Sequence, residues 1–485
     1  MRNATPFFAG FHHLLCGRAR RSAQDQIQAQ ARNLEQASLC QLGKLCAPWV
    51  PAALLKPAER GAHSRRRFFP QSVTFWAFLS QVLSPLSPCR ETVRKVQNWF
   101  VSQRLPRPGS GTGAYCRARA KLSPDILQAI HRHTADVLQR RISQAQLWCG
   151  RHVKVIDGTG VSMPDTPDNQ KVFPQPSTQN KGCGFPVAKL VGCFCLASGA
   201  LLHWAEGNKH THEIKLFRKL FAFFRPKDVL LTDRGFCSYV DIGILFKAGV
   251  DTVMRLHQAR SSDLRYGKRL GPKDRLVIWQ KPNQRPRGCL AADWRRTPAS
   301  LTLRLLTVSF HVPGFRTQSL VVVTTLTDAV QFPTSALADL YLRRWSVELF
   351  FRDIKIALGM DVLRCQTPQM VRKEIIMHAI AYNLIRSLMQ QAAALYQVPL
   401  GRLSFKGTVD TLRQWADSIN AAHDRPRVQA RLVDELLHIL AEDRLPHRPD
   451  RAEPRVRKRR PKGYPLMTRP RHELRLDASS KMGLK

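Results

Sequence analysis

Acidic residues are scarce in this chain of 485 residues. Asp and Glu number 35 against 77 Lys and Arg, which leaves a formal net charge of +42 at pH 7. Such an excess of cations indicates a polyanionic partner. Nucleic acid is the first candidate, because each phosphate that a cation neutralises releases counterions and strengthens binding.

Long apolar runs and ordered cysteine patterns are also missing. No stretch of 18 consecutive apolar residues occurs, so the sequence predicts no membrane span. The 12 cysteines include no CxxC pair and no Cys/His set with zinc-finger spacing. We therefore expect reduced cysteines in a cytoplasmic protein.

The length allows two to four domains. In the N-terminal region, Ser87-Pro88 and Ser123-Pro124 are typical helix starts, with the serine as N-cap and proline at the first helical position. Short basic helices fit a helix-turn-helix-like DNA binder, and a plain helical bundle fits equally well. We predict six regions: a helical basic DNA-binding region (1–145), the first part of a catalytic core (146–258), a β-rich insertion (259–335), the helices that complete the core (336–400), a C-terminal helical region (401–450) and a basic tail (451–485).

Two aspartates directly follow apolar strand-like runs in the core region. Asp157 follows Val-Lys-Val-Ile, and Asp233 follows Val-Leu-Leu-Thr. Carboxylates at strand ends of α/β sheets are frequent ligand or metal sites. Aspartate is also a common turn residue at strand ends, so each position alone is weak evidence.

A third acid lies on a predicted helix near residue 341. At about 100° per residue, Tyr341, Arg344, Glu348 and Lys355 fall within one narrow stripe, and most of the other positions are apolar. An apolar helix is expected to be buried, and a buried polar stripe needs partners. An internal Arg344–Glu348 ion pair explains half of the stripe. A metal site at Glu348, with Arg344 and Lys355 binding DNA phosphates, would explain the whole stripe.

The spacing Tyr341-x2-Arg344-x3-Glu348-x6-Lys355 resembles the Y-x2-R-x3-E-x6-K signature of DDE transposases from bacterial insertion sequences of the IS4 family. Asp157-Gly158-Thr159 and Asp233-Arg234-Gly235-Phe236 resemble the other two blocks of that family, in the expected order. The resemblance covers about residues 150–390. It implies an α/β fold with a ribonuclease H-like mixed sheet, interrupted by a β-rich insertion before the glutamate helix.

The resemblance also implies a function. Asp157, Asp233 and Glu348 would be the catalytic residues and would bind two Mg²⁺ (or Mn²⁺) ions per active site. Tyr341, Arg344 and Lys355 would grip DNA phosphates. The enzyme would bind the terminal inverted repeats of its element, cleave double-stranded DNA at the ends and join the 3′-OH ends to target DNA. Family members with this signature often form a hairpin on the transposon end. A homodimer in the synaptic complex and a cytoplasmic, nucleoid-associated location in a bacterium are further expectations.

Three other functions remain open at this point: a metal-dependent DNA nuclease of the same fold, a non-enzymatic DNA-binding protein such as a repressor or decayed transposase, and an RNA-binding protein. Intact carboxylates argue against the last two. Several further side chains are ambiguous, and for these we expect turn or capping roles (Asp165, Asp168, His210, His212) or, for Trp279 and Trp294, either a β-core position or stacking on an unpaired base.

Overall fold

The computed structural model describes residues 49–56, 68–84, 87–102, 106–260, 263–286, 289–309, 319–422, 425–446 and 465–474. They form two compact units. The first comprises the described residues up to Arg141 with Arg352–Leu363 and Gln369–Pro446; the second comprises Ile142–Phe351, Arg364–Pro368 and 465–474. Within these ranges no helix is long and apolar enough to cross a membrane. The most basic part of the predicted tail, Arg455–Arg460, lies outside the described residues.

Helices and strands follow in this order. The α-helices are α1 (Gln71–Leu83), α2 (Cys89–Ser102), α3 (Gly113–Lys121), α4 (Pro124–Arg140), α5 (Pro167–Val172), α6 (Glu213–Arg218), α7 (Tyr239–Lys247), α8 (Ala291–Arg296), α9 (Thr334–Leu342), α10 (Ser346–Arg352), α11 (Pro368–Leu395), α12 (Phe405–Ala421) and α13 (Pro426–Glu442). The strands are β1 (Val153–Ser162), β2 (Val187–Cys195), β3 (Leu201–Asn208), β4 (Val229–Thr232), β5 (Asp251–Arg255), β6 (Lys268–Gly271), β7 (Asp274–Gln280), β8 (Ser300–Ser309) and β9 (Ser319–Thr324).

A mixed sheet of nine strands organises the second unit, in the order β3-β2-β1-β4-β5-β9-β8-β7-β6. β1 pairs antiparallel with β2 and parallel with β4, which pairs parallel with β5. All four residues of β4 are buried, as expected for a parallel strand covered on both faces. Three consecutive antiparallel strands, β1 to β3, followed by two strands parallel to β1, in the order β3-β2-β1-β4-β5, are the ribonuclease H-like arrangement. This fold class was predicted from the sequence and is confirmed.

The strands of the predicted insertion extend the same sheet. β9 pairs antiparallel with β5, and β8, β7 and β6 follow as antiparallel neighbours. Alternate residues of β7 and β8 pack against α7 and β5, in a buried cluster that includes Ile242, Met254 and Leu303. The insertion therefore shares its core with the central sheet.

The first unit is helical. The helix start predicted at Ser123-Pro124 is confirmed, because the Ser123 side chain caps α4 by accepting a hydrogen bond from the Asp125 N–H. A helix also follows Ser87-Pro88, but α2 begins at Cys89, so Pro88 precedes the helix and is not its first residue. The long helix α11 is buried over most of its length. It bonds to the N-terminal helices through Lys373, which donates to the Ala120 carbonyl at 2.6 Å. The first unit is thus assembled from segments far apart in the chain.

Candidate active site

Asp157 and Asp233 occupy matching positions at neighbouring parallel strands. Asp233 directly follows β4, as expected, but the expected strand end at Asp157 is wrong, because β1 continues to Ser162. The β1–β4 register ends with Val155 opposite Leu231, and the two aspartates lie two residues further along each strand. Neighbouring strands are about 4.8 Å apart, so the two carboxylates emerge side by side. The topology thus brings together two acids that lie 76 positions apart in the sequence.

Each of these carboxylates is oriented by a local backbone bond. The Gly158 N–H donates to Asp157 Oδ1 at 2.8 Å, and the Gly235 N–H donates to Asp233 Oδ1 at 2.9 Å. The second bond makes Asp233 the N-cap of a short 3₁₀ helix, Arg234–Phe236. Each side chain is therefore held in place by the backbone next to it.

The segment that carries Glu348 is not one regular helix. After α9 ends, Arg343–Trp345 forms a 3₁₀ turn, α10 follows, and Asp353–Ala357 is π-helical. The assumption of 100° per residue across the whole stripe is wrong, because these helix types turn by different angles. The expected burial is also wrong in part: Trp345 is 37% exposed and Leu349 is 39% exposed.

Arg344 joins the first and third acids. Its Nη1 lies 3.7 Å from Asp157 Oδ2, and its Nη2 lies 3.6 Å from Glu348 Oε1. The proposed i,i+4 ion pair of Arg344 with Glu348 is thus confirmed, and the same guanidinium also reaches the strand carboxylate. The Glu348 side chain is 39% exposed, which leaves it accessible to a ligand from solvent.

The position of α10 depends on a glycine opposite Asp157. Gly192 on β2 is the register partner of Asp157. A Cβ built at Gly192 would lie 2.9 Å from Phe351 Cζ and 3.0 Å from Phe194 Cε2. The Phe194 and Phe351 rings pack edge to face, with centroids 5.0 Å apart. The missing side chain therefore lets α10, which carries Glu348, approach the sheet closely.

A buried ion pair fixes the start of α9. Arg304 is completely buried, and its Nη2 lies 2.6 Å from Asp274 Oδ2. The Thr334 hydroxyl, at the first residue of α9, donates to the same carboxylate at 2.8 Å. Arg304 also donates to the Phe332 carbonyl at 2.6 Å. Strands β7 and β8 of the insertion thereby anchor the helix that leads to Tyr341.

The electrostatics of the site favour uptake of a proton or a cation. Burial raises the pKa of Asp157 to about 6, and the charges of Asp233 and Glu348 add to this; the Gly158 N–H and Arg344 act in the opposite direction. Burial likewise raises the pKa of Tyr341 to about 12. Tyr341 is therefore neutral at physiological pH, and its hydroxyl is available as a hydrogen-bond donor.

The donor set fits a hard divalent cation. Carboxylate oxygens are the ligands that Mg²⁺ and Mn²⁺ prefer, and a cation would relieve the mutual repulsion of the three acids. Among the described residues, however, no three His, Cys, Asp or Glu side chains converge as a metal site would require. Arg344 lies beside Asp157 and Glu348 instead.

Lys355 is the remaining residue of the predicted stripe. It lies in the π-helical segment Asp353–Ala357, which belongs to the first unit. Its contact with DNA stays a prediction.

The ambiguous acids and histidines have local structural roles. His212 is the N-cap of α6 and accepts from the Ile214 N–H at 3.3 Å, so the capping role is confirmed. Asp165 accepts from Gln170 Nε2 at 2.7 Å within a loop, as expected. The loop turn expected at Asp168 is wrong, because Asp168 lies in the first turn of α5.

The two tryptophans of the insertion both lie against cations. Trp279 is partly buried against the cluster of β7 and β8, with Arg260 Cζ 3.9 Å from its ring centroid. Trp294 lies on α8, with Lys281 Nζ 4.4 Å from its ring centroid. A β-core position thus accounts for Trp279.

The sequence reasoning missed Gly192, Phe194 and the Arg304–Asp274 pair. A glycine inside an apolar strand is a signal for close approach of another element, and Gly192 carried that signal. The buried ion pair had no such signal, because it joins residues 30 positions apart through the pairing of β7 with β8.

Comparison with known proteins indicates a transposase. Residues 148–384 match a family model described as the transposase DDE domain. The chain is 27% identical over 413 residues to the transposase InsG for insertion sequence element IS4 of Escherichia coli (strain K12), covering 84% of this chain and 90% of that protein. A cryo-EM structure of the piggyBac transposase synaptic complex with hairpin DNA is 11% identical, with a TM-score of 0.38 over 84% of this chain and 85% of that one, a likeness too low to support an argument. The domain match and the relative together support a metal-dependent DDE transposase of the IS4 type.

Proposed function

We propose that this transposase binds the terminal inverted repeats of its element, cleaves DNA at the element's ends and joins the freed 3′-OH ends to target DNA. Asp157, Asp233 and Glu348 are the catalytic carboxylates in this proposal. The observation that carries it is the Arg344 guanidinium, which lies within 4 Å of both Asp157 and Glu348. Asp157 is on β1, which pairs with the strand that Asp233 follows.

The three carboxylates would hold two Mg²⁺ (or Mn²⁺) ions. When bound, two such ions activate the attacking oxygen and stabilise the leaving oxygen of a phosphodiester. The protein contributes oxygen ligands at fixed positions: Asp157 and Asp233 are held by backbone N–H groups, and Glu348 by the packing of α10 on β2.

Arg344 has two roles in this proposal. Without ligands it neutralises Asp157 and Glu348, which lowers the cost of placing acids together in a partly buried site. With DNA bound, its guanidinium binds a phosphate instead. The planar arrangement of its N–H donors allows two parallel hydrogen bonds to phosphate oxygens. Tyr341 is neutral and donates its hydroxyl to a phosphate oxygen, and Lys355 contributes a further cation.

The partners are double-stranded DNA at the element's ends and at the target. We propose a homodimer that holds two ends in the synaptic complex, located in the bacterial cytoplasm with the nucleoid. The basic region 1–145 would bind the ends, and the basic tail 451–485 would add contacts to phosphates irrespective of sequence. The net charge of +42 supports both roles.

The test is Glu348→Gln, assayed for Mg²⁺-dependent cleavage of a plasmid that carries the element's ends. Glutamine keeps the size of the side chain but lacks the negative charge that a divalent cation requires. We expect cleavage to be lost while binding to the end sequence, measured by gel shift, persists. The matched control is Glu435→Gln, an exposed position on α13.

Normal cleavage by Glu348→Gln would contradict the site assignment. Cleavage by the unaltered protein without joining of 3′-OH ends to target DNA would identify a nuclease of the same fold. Binding without cleavage by the unaltered protein would identify a repressor or an inactive copy.

A further inference from the structure

Helix α2 exposes a stripe of side chains that are suited to reading base edges. Arg90, Arg94 and Asn98 are all exposed and follow one another at intervals of four residues. At a rise of about 1.5 Å per residue, this stripe is about 12 Å long, which spans three to four base pairs. Arginine pairs with guanine and asparagine with adenine through two parallel hydrogen bonds in the major groove.

The opposite face of α2 fixes the direction in which the stripe points. Val93, Val96, Trp99 and Phe100 are fully buried. Phe68 packs edge to face on Phe100, with ring centroids 5.6 Å apart. A helix held by four buried side chains cannot rotate without exposing them, so the exposed stripe is presented rigidly.

The flanks of α2 are tied to neighbouring segments. Lys95 lies 3.4 Å from Glu91 and donates to the Ser84 hydroxyl at 3.3 Å. Gln97 donates to the Pro108 carbonyl at 2.9 Å. Glu91, the acid of this helix, is therefore paired with Lys95 beside the stripe. The exposed stripe itself consists of two cations and an amide.

Other described helices of the first unit offer less suitable surfaces. The exposed face of α4 includes Asp125 and Asp136, and that of α13 includes Asp434 and Glu435, all of which repel phosphates. In the short helix α3, Arg117 folds back over its own N-terminus, with Nη1 3.3 Å from the Cβ position of Gly113. Charge complementarity to DNA thus favours α2.

We propose that α2 lies in the major groove of the element's end and that Arg94 and Asn98 read base edges there. Arg90, nearer the start of the helix, extends the same contact. This inference rests on the proposed binding of terminal repeats and adds the residues that give that binding its sequence preference.

The experiment selects preferred duplexes from a pool with a randomised central segment, using the full-length protein. Three variants are compared with the unaltered chain: Arg94→Lys, Asn98→Ala and the control Arg132→Ala. Arg94→Lys keeps the charge but cannot form the paired hydrogen bonds. Asn98→Ala changes no charge. Arg132 is exposed on α4, so its removal reports the loss of a cation outside the stripe.

We expect Arg94→Lys and Asn98→Ala each to lose preference at defined positions of the selected sequence. Their affinity for that sequence should fall by about 5- to 150-fold, with little change on an unrelated duplex and the same salt slope. Arg132→Ala should select the same sequence as the unaltered chain.

Unchanged selection by both stripe variants would overturn the proposal. A fourth variant, Arg94→Ala, completes the test: if it binds all duplexes less tightly while Arg94→Lys selects the same sequence as the unaltered chain, Arg94 contacts a phosphate and the proposal is overturned. If the unaltered chain selects no sequence at all, specific end recognition itself is wrong. Metal-dependent cleavage and its loss in Glu348→Gln would still test the catalytic part of the proposed function separately.

Discussion

Replacing Gly192 with alanine tests whether the close approach of α10 to β2 positions Glu348. The added methyl carbon would lie 2.9 Å from Phe351 Cζ and 3.0 Å from Phe194 Cε2, closer than carbon atoms pack in proteins. Both rings belong to a packed pair, so relief requires a shift of ring or helix. Overpacking of this kind typically costs about 1–3 kcal/mol of the free energy of unfolding.

The matched control is Gly160→Ala on β1. A Cβ at Gly160 would meet Val187 Cγ1 at 3.6 Å, which is an ordinary contact. Both substitutions restrict the unfolded chain to the same extent, so their difference isolates the contact with Phe351. We expect Gly192→Ala to lower the melting temperature and to slow Mg²⁺-dependent cleavage, and Gly160→Ala to leave cleavage unchanged.

A double variant sharpens the test. Phe351→Leu shortens the side chain that the methyl group would meet, so in the Gly192→Ala background it should restore part of the lost stability and cleavage. The two substitutions should therefore be non-additive, as neighbours in contact are. Equal melting temperatures and cleavage rates for Gly192→Ala and Gly160→Ala would refute the argument that this glycine sets the position of α10.

Two further predictions concern charge. Burial raises the pKa of Asp353 from 3.8 to about 6, against the opposing charges of Arg386 and Arg352, so the folded protein loses stability as the pH rises from about 4 to 6. Asp353→Asn lacks this titration, so its free energy of unfolding should rise relative to that of the unaltered chain as the pH rises, by at most about 3 kcal/mol at pH 8. Thermal melts measure this, and equal pH profiles of the two proteins would contradict it. Deleting Arg451–Lys485 should weaken binding to all duplexes alike and reduce the salt slope of affinity, whereas an unchanged slope would show that the tail makes no phosphate contacts.

The sequence was most informative where the signal is local. Short apolar runs located the start of β1 and the whole of β4, and the aspartates that follow these runs were recognised as candidate ligands. The continuation of β1 beyond Asp157 was not predicted. The fixed spacing of Tyr341, Arg344 and Glu348 carried the family assignment even though the underlying helix is interrupted by a 3₁₀ turn. The intervals between residues in the sequence do not depend on the type of helix. The angular positions that a helical projection assigns do depend on it.

Features that depend on pairing between distant segments could not be predicted. Strand register alone places Asp157 opposite Gly192, and only that register shows why the glycine is needed there. The double contact of Arg344 is similar: its bond to Glu348 follows from helical spacing, but its approach to Asp157 depends on how α10 packs on the sheet. Buried pairs such as Arg304 with Asp274 need both partners fixed by the fold.

The first unit combines N-terminal and C-terminal segments of the chain, so a shortened protein would lose part of its core. Its N-terminal helices pack with α11, and Lys373 bonds to the carbonyl of Ala120. A protein product that stops before residue 369 would lack the helix that fills this core, including the groups that satisfy the ends of the N-terminal helices. A chain shortened in this way should therefore be less stable than the full chain.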